Sequence, residues 1–144
     1  MTRFSFLRSA VFAALILFLG CASQAPPSGG PPDKTPPFVV RTFPEKGALS
    51  VALETEIEVE FSEPMDRKSV ERSVFLSPRL NVEPRFKWKG RRLRILPGDA
   101  LAENRTYRIS VGAEGRDVYR NKLTSSFDFV FSTGDSIHQG ELNG

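Results

Sequence analysis

Few residues of this 144-residue chain have the chemistry for a reactive or ligating role. There is one cysteine, Cys21, so neither a disulfide nor a cysteine-based zinc site can form within one chain. The one histidine, His138, sits in a polar, glycine-containing tail, which argues against a histidine-based triad. Carboxylates are plentiful, but Glu56, Glu58 and Glu60 alternate along one segment and read as a solvated strand face rather than an acid–base pair. Glu63, Asp66, Asp117 and Asn121 are hard oxygen ligands in or near loops, the kind of set calcium uses. Their spacing fits no EF-hand loop, and turns employ Asp and Asn for backbone reasons as well. Arg85, Lys87, Arg92 and Arg94 form a basic face that suits an anionic glycan or lipid. No catalytic constellation emerges. The expectation is a non-enzyme, with calcium the only cofactor its residues suggest.

The segment before Cys21 explains that lone thiol. Arg3 and Arg8 precede an apolar run from Ala10 to Leu19, a charged region followed by a core too short to span a bilayer comfortably. Loss of residues 1–20 leaves 18 Lys+Arg against 17 Asp+Glu, so a chain with a formal charge of +3 becomes nearly neutral. A general attraction to nucleic acid is therefore not expected. Leu17-Phe18-Leu19-Gly20-Cys21-Ala22-Ser23 resembles the bacterial lipoprotein signal, with Gly20 and Cys21 at the cleavage point and Phe18 where that pattern usually has Leu. The resemblance implies that Cys21 receives diacylglycerol and anchors the protein to a membrane. Ala22 in place of Asp implies sorting to the outer membrane. Residues 21–37 are then a tether. Three proline pairs favour polyproline II around the Gly29-Gly30 joint, so the segment can reach about 35 Å.

From Phe38 the pattern turns to period two. Strands are expected at Phe38–Phe43, Glu56–Phe61, Val74–Leu76, Asn81–Trp88, Arg91–Leu96, Thr106–Val111 and Phe127–Phe131. Ile57, Val59 and Phe61 face a core opposite the three glutamates. Asp66 caps a short helical turn over Arg67–Glu71. Lys89-Gly90 is expected as the two-residue loop of a hairpin, pairing Trp88 with Arg91, Lys87 with Arg92, Phe86 with Leu93 and Arg85 with Arg94. That register puts Phe86, Trp88, Leu93 and Ile95 on the inner side, and Pro84 marks an edge or a bulge. Seven short strands with frequent turn signals and no long amphipathic helix after the signal indicate an all-β fold, a single antiparallel β-sandwich over 38–134 with a flexible tail over 135–144.

In order and spacing, residues from Asp33 to Gly134 resemble the bacterial Ig-like domain of the S-layer SbsA type. The matching stretches are Asp33-Lys34-Thr35-Pro36-Pro37-Phe38-Val39-Val40, Phe61-Ser62-Glu63-Pro64-Met65-Asp66, Leu96-Pro97 with Leu101 and Thr106-Tyr107, Asp117 with Asn121 and Leu123, and Phe131-Ser132-Thr133-Gly134. Arg120 stands where that family has Gly before Asn121, at a turn that favours φ > 0. The resemblance implies a non-catalytic Ig-like sandwich used for spacing, adhesion or binding. It also implies that the second strand pairs with the outgoing arm of the hairpin. Glu56, Glu58 and Glu60 then flank Arg92 and Arg94 in a ladder of ion pairs that acts more on register than on stability.

Tyr107 reads as a tyrosine corner whose hydroxyl meets backbone near Ala102–Asn104, and Trp88 as packing rather than a sugar platform. Expected partners are the membrane through Cys21 and envelope proteins or surface glycans. Phe and Val positions on the first or last strand offer docking by edge-strand addition.

Overall fold

The computed structural model describes Gly30, Pro31 and residues 33–138. The proposed acylation site, the signal segment and the end of the tail lie outside the described residues.

The alternating segments become strands β1 (Val39–Phe43), β2 (Ile57–Phe61), β3 (Val74–Ser77), β4 (Arg85–Lys89), β5 (Arg92–Leu96), β6 (Thr106–Val111) and β7 (Phe127–Ser132). One helix, α1 (Arg67–Ser73), lies between β2 and β3. The ladders between these strands are antiparallel and form two sheets, ordered β1-β2-β5-β4 and β3-β6-β7. The result is the expected β-sandwich.

Period two decides what goes inside. Ile57, Val59 and Phe61 of β2, Leu93 and Ile95 of β5, Tyr107, Ile109 and Val111 of β6, and Phe129 and Phe131 of β7 are buried between the sheets. Burying an aliphatic or phenyl side chain of this size contributes about 1.5–3 kcal/mol, so these positions dominate the fold. Phe61 stacks on Trp88 with ring centroids 6.0 Å apart, and the Trp88 indole N–H donates to Glu71 of α1 at 2.8 Å. Trp88 is packing, as expected. Helix α1 starts where Asp66 accepts from the Ser69 N–H at 3.3 Å, buries Val70, and runs two residues beyond the expected end to bury Ser73 as well.

Three details differ from the sequence reading. The hairpin turns on Gly90-Arg91, not Lys89-Gly90, so Trp88 pairs with Leu93, Phe86 with Ile95, Lys87 with Arg94 and Lys89 with Arg92. Gly90 has φ +59 and Arg91 has no positive φ, the glycine-first pattern that a two-residue type II′ loop requires. Inner and outer faces are unchanged, because the shift of the pairing sum is even. Second, β4 begins only at Arg85, since Pro84 has no N–H to give a ladder. Third, the folded unit begins at Asp33 rather than Phe38. Pro37 is buried, and the Asn121 side-chain amide donates to the Asp33 carbonyl at 3.1 Å.

After β1 the chain changes sheets. Gly47 N–H donates to Val130 O, Ser132 N–H to Ala48 O and Val51 N–H to Ser132 O, so residues 47–51 run alongside β7 in the same direction. This covers the outer edge of β7, while β1 and β4 are the two edges of the larger sheet.

Candidate functional site

Two charged constellations stand out, one on a sheet face and one at the end of the sandwich where the chain enters. On the face, β2 and β5 pair Glu58 with Arg94 and Glu60 with Arg92. The ion pairs run one step along that register: Arg94 to Glu56, Arg92 to Glu58 at 3.5 Å and Arg91 to Glu60 at 3.1 Å. The expected ladder is present. Glu60 is the most constrained member, because Arg41 on β1 also reaches it at 2.5 Å. The guanidinium groups of Arg41 and Arg91 cover Glu60 and leave it nearly inaccessible without sinking it into the apolar interior. The hydrogen bond from Arg41 holds the Glu60 carboxyl below its ordinary range, against the opposing effect of desolvation.

Of the proposed basic face, Arg92 and Arg94 are therefore occupied by glutamates, while Arg85 and Lys87 are exposed. Beside them Arg41, Phe43, Glu58, Lys89, Arg92 and Arg94 line an open trough of about 950 Å³. Three of its five cations, Arg41, Arg92 and Arg94, are already paired with glutamates, which weakens the field it offers an anion.

The second constellation is held by Asn121. The chain turns tightly from Arg116 to Lys122, with Asp117 N–H on Asn121 O (3.0 Å) and Arg120 N–H on Asp117 O (3.2 Å). Asp117 is fully buried. One of its oxygens accepts from the Asn121 main-chain N–H at 2.8 Å and the other from the side-chain amide at 2.7 Å. The same amide reaches Asp33, and carboxylate oxygens of Asp33, Glu63 and Asp117 lie within 4.8 Å of one another. Burial, followed by repulsion from Asp117 and Asp33, pushes the Glu63 carboxyl above its ordinary range. The cluster can share a proton or turn its oxygens toward a hard cation.

Of the four residues proposed for calcium, Glu63, Asp117 and Asn121 come together, while Asp66 instead caps α1. Asp33 completes the cluster and was missed. Its only local mark is a turn in which it accepts from the Thr35 N–H at 2.9 Å. Asn121 already engages both Asp117 oxygens, so the arrangement is first a clasp that ties the incoming chain to the loop.

His138 lies 3.4 Å from the Ser136 hydroxyl in the exposed tail. Among the described residues no carboxylate orients the imidazole as a nucleophile–base pair would need. Tyr107 meets its expectation, its hydroxyl accepting from the Ala102 N–H at 2.8 Å. Arg120, in the place of a turn glycine, takes φ +73.

A two-sheet antiparallel sandwich with a tyrosine corner and a clasped opening strand defines the Ig-like class. The chain belongs to the bacterial Ig-like domain family, whose pattern it matches over residues 33–133. No curated protein matches it in sequence. Among solved structures it is similar to an L,D-transpeptidase from Mycobacterium smegmatis, with 27% identity and a TM-score of 0.54 over 69% of this chain and 41% of that one. L,D-transpeptidase 1 from Mycobacterium tuberculosis aligns at 25% identity, with a TM-score of 0.47 over 69% of this chain and 40% of that one. The surface-layer protein SbsC, domains 1–6, aligns at 14% identity, with a TM-score of 0.49 over 72% of this chain and 14% of that one. The chain thus spans about two fifths of the transpeptidases it matches.

Proposed function

We propose that this chain is a non-catalytic, lipid-anchored cell-envelope protein. Its Ig-like domain, of the S-layer SbsA type, is held by Cys21 at the outer membrane and acts by binding, adhesion or spacing. The observation that carries the reading is the continuity from Gly20-Cys21 through the proline tether to the clasp at Asp33. The tether ends at a fixed point on the domain, which is what a stand-off from a surface requires. The membership in a bacterial Ig-like family and the likeness to an L,D-transpeptidase support a place in the envelope. Transpeptidation itself is not proposed for this domain, because its single thiol and single histidine lie before and after the matched residues.

Replacing Cys21 with Ser tests the anchor. The variant should leave the membrane fraction and keep the folding transition of the wild type. A variant that stays membrane-bound, or a wild type that takes up no fatty-acid label, overturns the reading.

One observation favours a second reading, an accessory subunit of a larger envelope complex. Phe38 and the β1 residues Val40 and Phe43 are at least half exposed along one edge of the larger sheet. Crosslinked envelopes distinguish the two: capture of envelope proteins through β1 indicates the subunit, and retention of surface glycans or matrix material indicates the adhesive module.

A further inference from the structure

The turn from Arg116 to Lys122 carries two large side chains that folding does not explain. Val118 and Tyr119 are 55% and 63% exposed, on consecutive positions of a turn that is held rather than loose. Val118 N–H is fixed on Pro64 O at 3.2 Å, and the Asp117–Asn121 bonds close the turn behind it. Arg120 follows with its φ of +73, a conformation that glycine adopts without steric cost. What the arginine adds at that position is a cation.

The location of this tip is set by the clasp. Asn121 bonds Asp33, so the tip is at the end where the chain enters. Other groups gather at that end. Phe38, 60% exposed, is bonded through its main chain to Ser62. The Arg91 guanidinium donates to Ser62 O at 3.1 Å, which brings the β4–β5 turn with Lys89 alongside. Exposed aromatic rings beside cations are the composition of membrane-interface anchors.

We propose that this end of the domain is a second, non-covalent membrane contact: Val118, Tyr119 and Phe38 enter the headgroup region of an anionic phospholipid surface, with Arg120 and Lys89 over its phosphates. The inference rests on the lipid anchor at Cys21. Eleven residues separate Cys21 from Asp33, two proline pairs among them, so the tip stays within about 35 Å of the anchored surface. A linker of that length gives a millimolar effective concentration, so a contact too weak to hold the free domain is populated once tethered. Without the tether the domain should bind vesicles negligibly.

The test uses the mature chain from Cys21, coupled through that thiol to a maleimide phospholipid in vesicles of phosphatidylethanolamine and phosphatidylglycerol. Hydroxyl-radical oxidation reads side-chain exposure. Tyr119 and Phe38 should be oxidised roughly threefold more slowly on the vesicles than in the uncoupled chain. Phe43, equally exposed but at the far end of β1 from Phe38, should be unchanged. A Val118→Ser, Tyr119→Ser double variant should restore Phe38 oxidation, and vesicles without phosphatidylglycerol should weaken the protection. Unaltered Tyr119 oxidation, or equal protection of Phe43, overturns the contact. Protection by peptidoglycan fragments but not by vesicles overturns it in favour of a glycan. Chemical coupling bypasses acylation in the cell, so failure here leaves the anchor untouched, and failure of the Cys21→Ser experiment leaves this measurement interpretable.

Discussion

Tyr107→Phe isolates a single hydrogen bond. The ring is buried and stacks on Phe131 with centroids 5.6 Å apart, and phenylalanine keeps that packing. What is lost is the hydroxyl that accepts from the Ala102 N–H at 2.8 Å. A neutral intramolecular hydrogen bond contributes about 0.5–1.5 kcal/mol net, and an orphaned buried donor costs more. Ala102 is exposed, so water can reach the freed N–H and the larger penalty does not apply. The expected loss is therefore about 1 kcal/mol, or roughly 4–8 °C in Tm for a domain of about 100 residues. Trp88, the only tryptophan, stacks on buried Phe61 and gives a fluorescence signal for urea titration at a site outside the corner. The midpoint should fall with the m-value unchanged. Tyr107→Ala, which also removes the ring, should cost about 3–5 kcal/mol. A Phe variant as stable as the wild type refutes the corner as a stabilising device. A Phe variant as damaged as the Ala variant shows that the hydroxyl organises the loop well beyond one bond.

Three further outcomes follow from the charged and strained positions. Arg120→Gly removes a left-handed non-glycine residue, a relief of about 1–2 kcal/mol, but adds unfolded-state freedom worth about 0.5–1 kcal/mol. A net gain of about 0.5–1 kcal/mol is expected by urea unfolding, and a loss would mean that the arginine side chain supports the turn. Glu63 has its pKa raised in the fold, so its charged form is a penalty that grows as pH rises and is relieved as pH falls through the folded pKa. Glu63→Gln should then be more stable than the wild type at pH 7, and the two midpoints should converge below the ordinary carboxylate pKa. Glu60 is depressed, so its contribution is complete above its unfolded pKa and lost as pH falls through the folded value. Glu60→Gln should lower the midpoint at pH 7 and have no such effect in strong acid, with the opposite pH trend from Glu63→Gln in paired thermal melts.

What could be read in advance was what short-range pattern controls. Strict alternation in Glu56–Phe61 fixes both faces of β2, and the basic alternation after Gly90 fixes those of β5, while the pairing of the two strands that makes the ladder came from the family resemblance. The hairpin register was not legible in advance. A loop on Lys89-Gly90 and one on Gly90-Arg91 bury the same side chains, and only the backbone angle of Gly90 separates them. Residues 47–51 lack alternation, and nothing local indicates that they follow β7, because that pairing is a consequence of β1 changing sheets. The cluster at the end of the domain was half legible. Glu63, Asp117 and Asn121 stood out as loop oxygens, but Asp33 lies 88 positions from Asn121 within a proline-rich stretch that resembles linker. Composition identified the stretch, and a long-range contact determined where it stops being flexible.

That boundary bears on the proposed function. A tether running to Phe38 would join the domain as a swivel at the lower end of β1. The clasp moves the attachment to Asp33 and binds it to the loop that carries Val118 and Tyr119. The incoming chain and the apolar tip then share one end, so tension or thermal motion of the anchor acts on a defined pole of the sandwich. On the proposed anchoring, the opposite pole, near Ser50, Asn104 and Gly134, faces away from the membrane. The open β1 edge runs between the two poles, where a partner strand could reach it without displacing lipid. An Asn121→Ala variant should loosen this arrangement selectively. Exchange of the amides around Asp33–Thr35 should accelerate while those of β5 and β6 stay protected, and equal acceleration throughout would show that Asn121 supports the whole fold rather than the attachment.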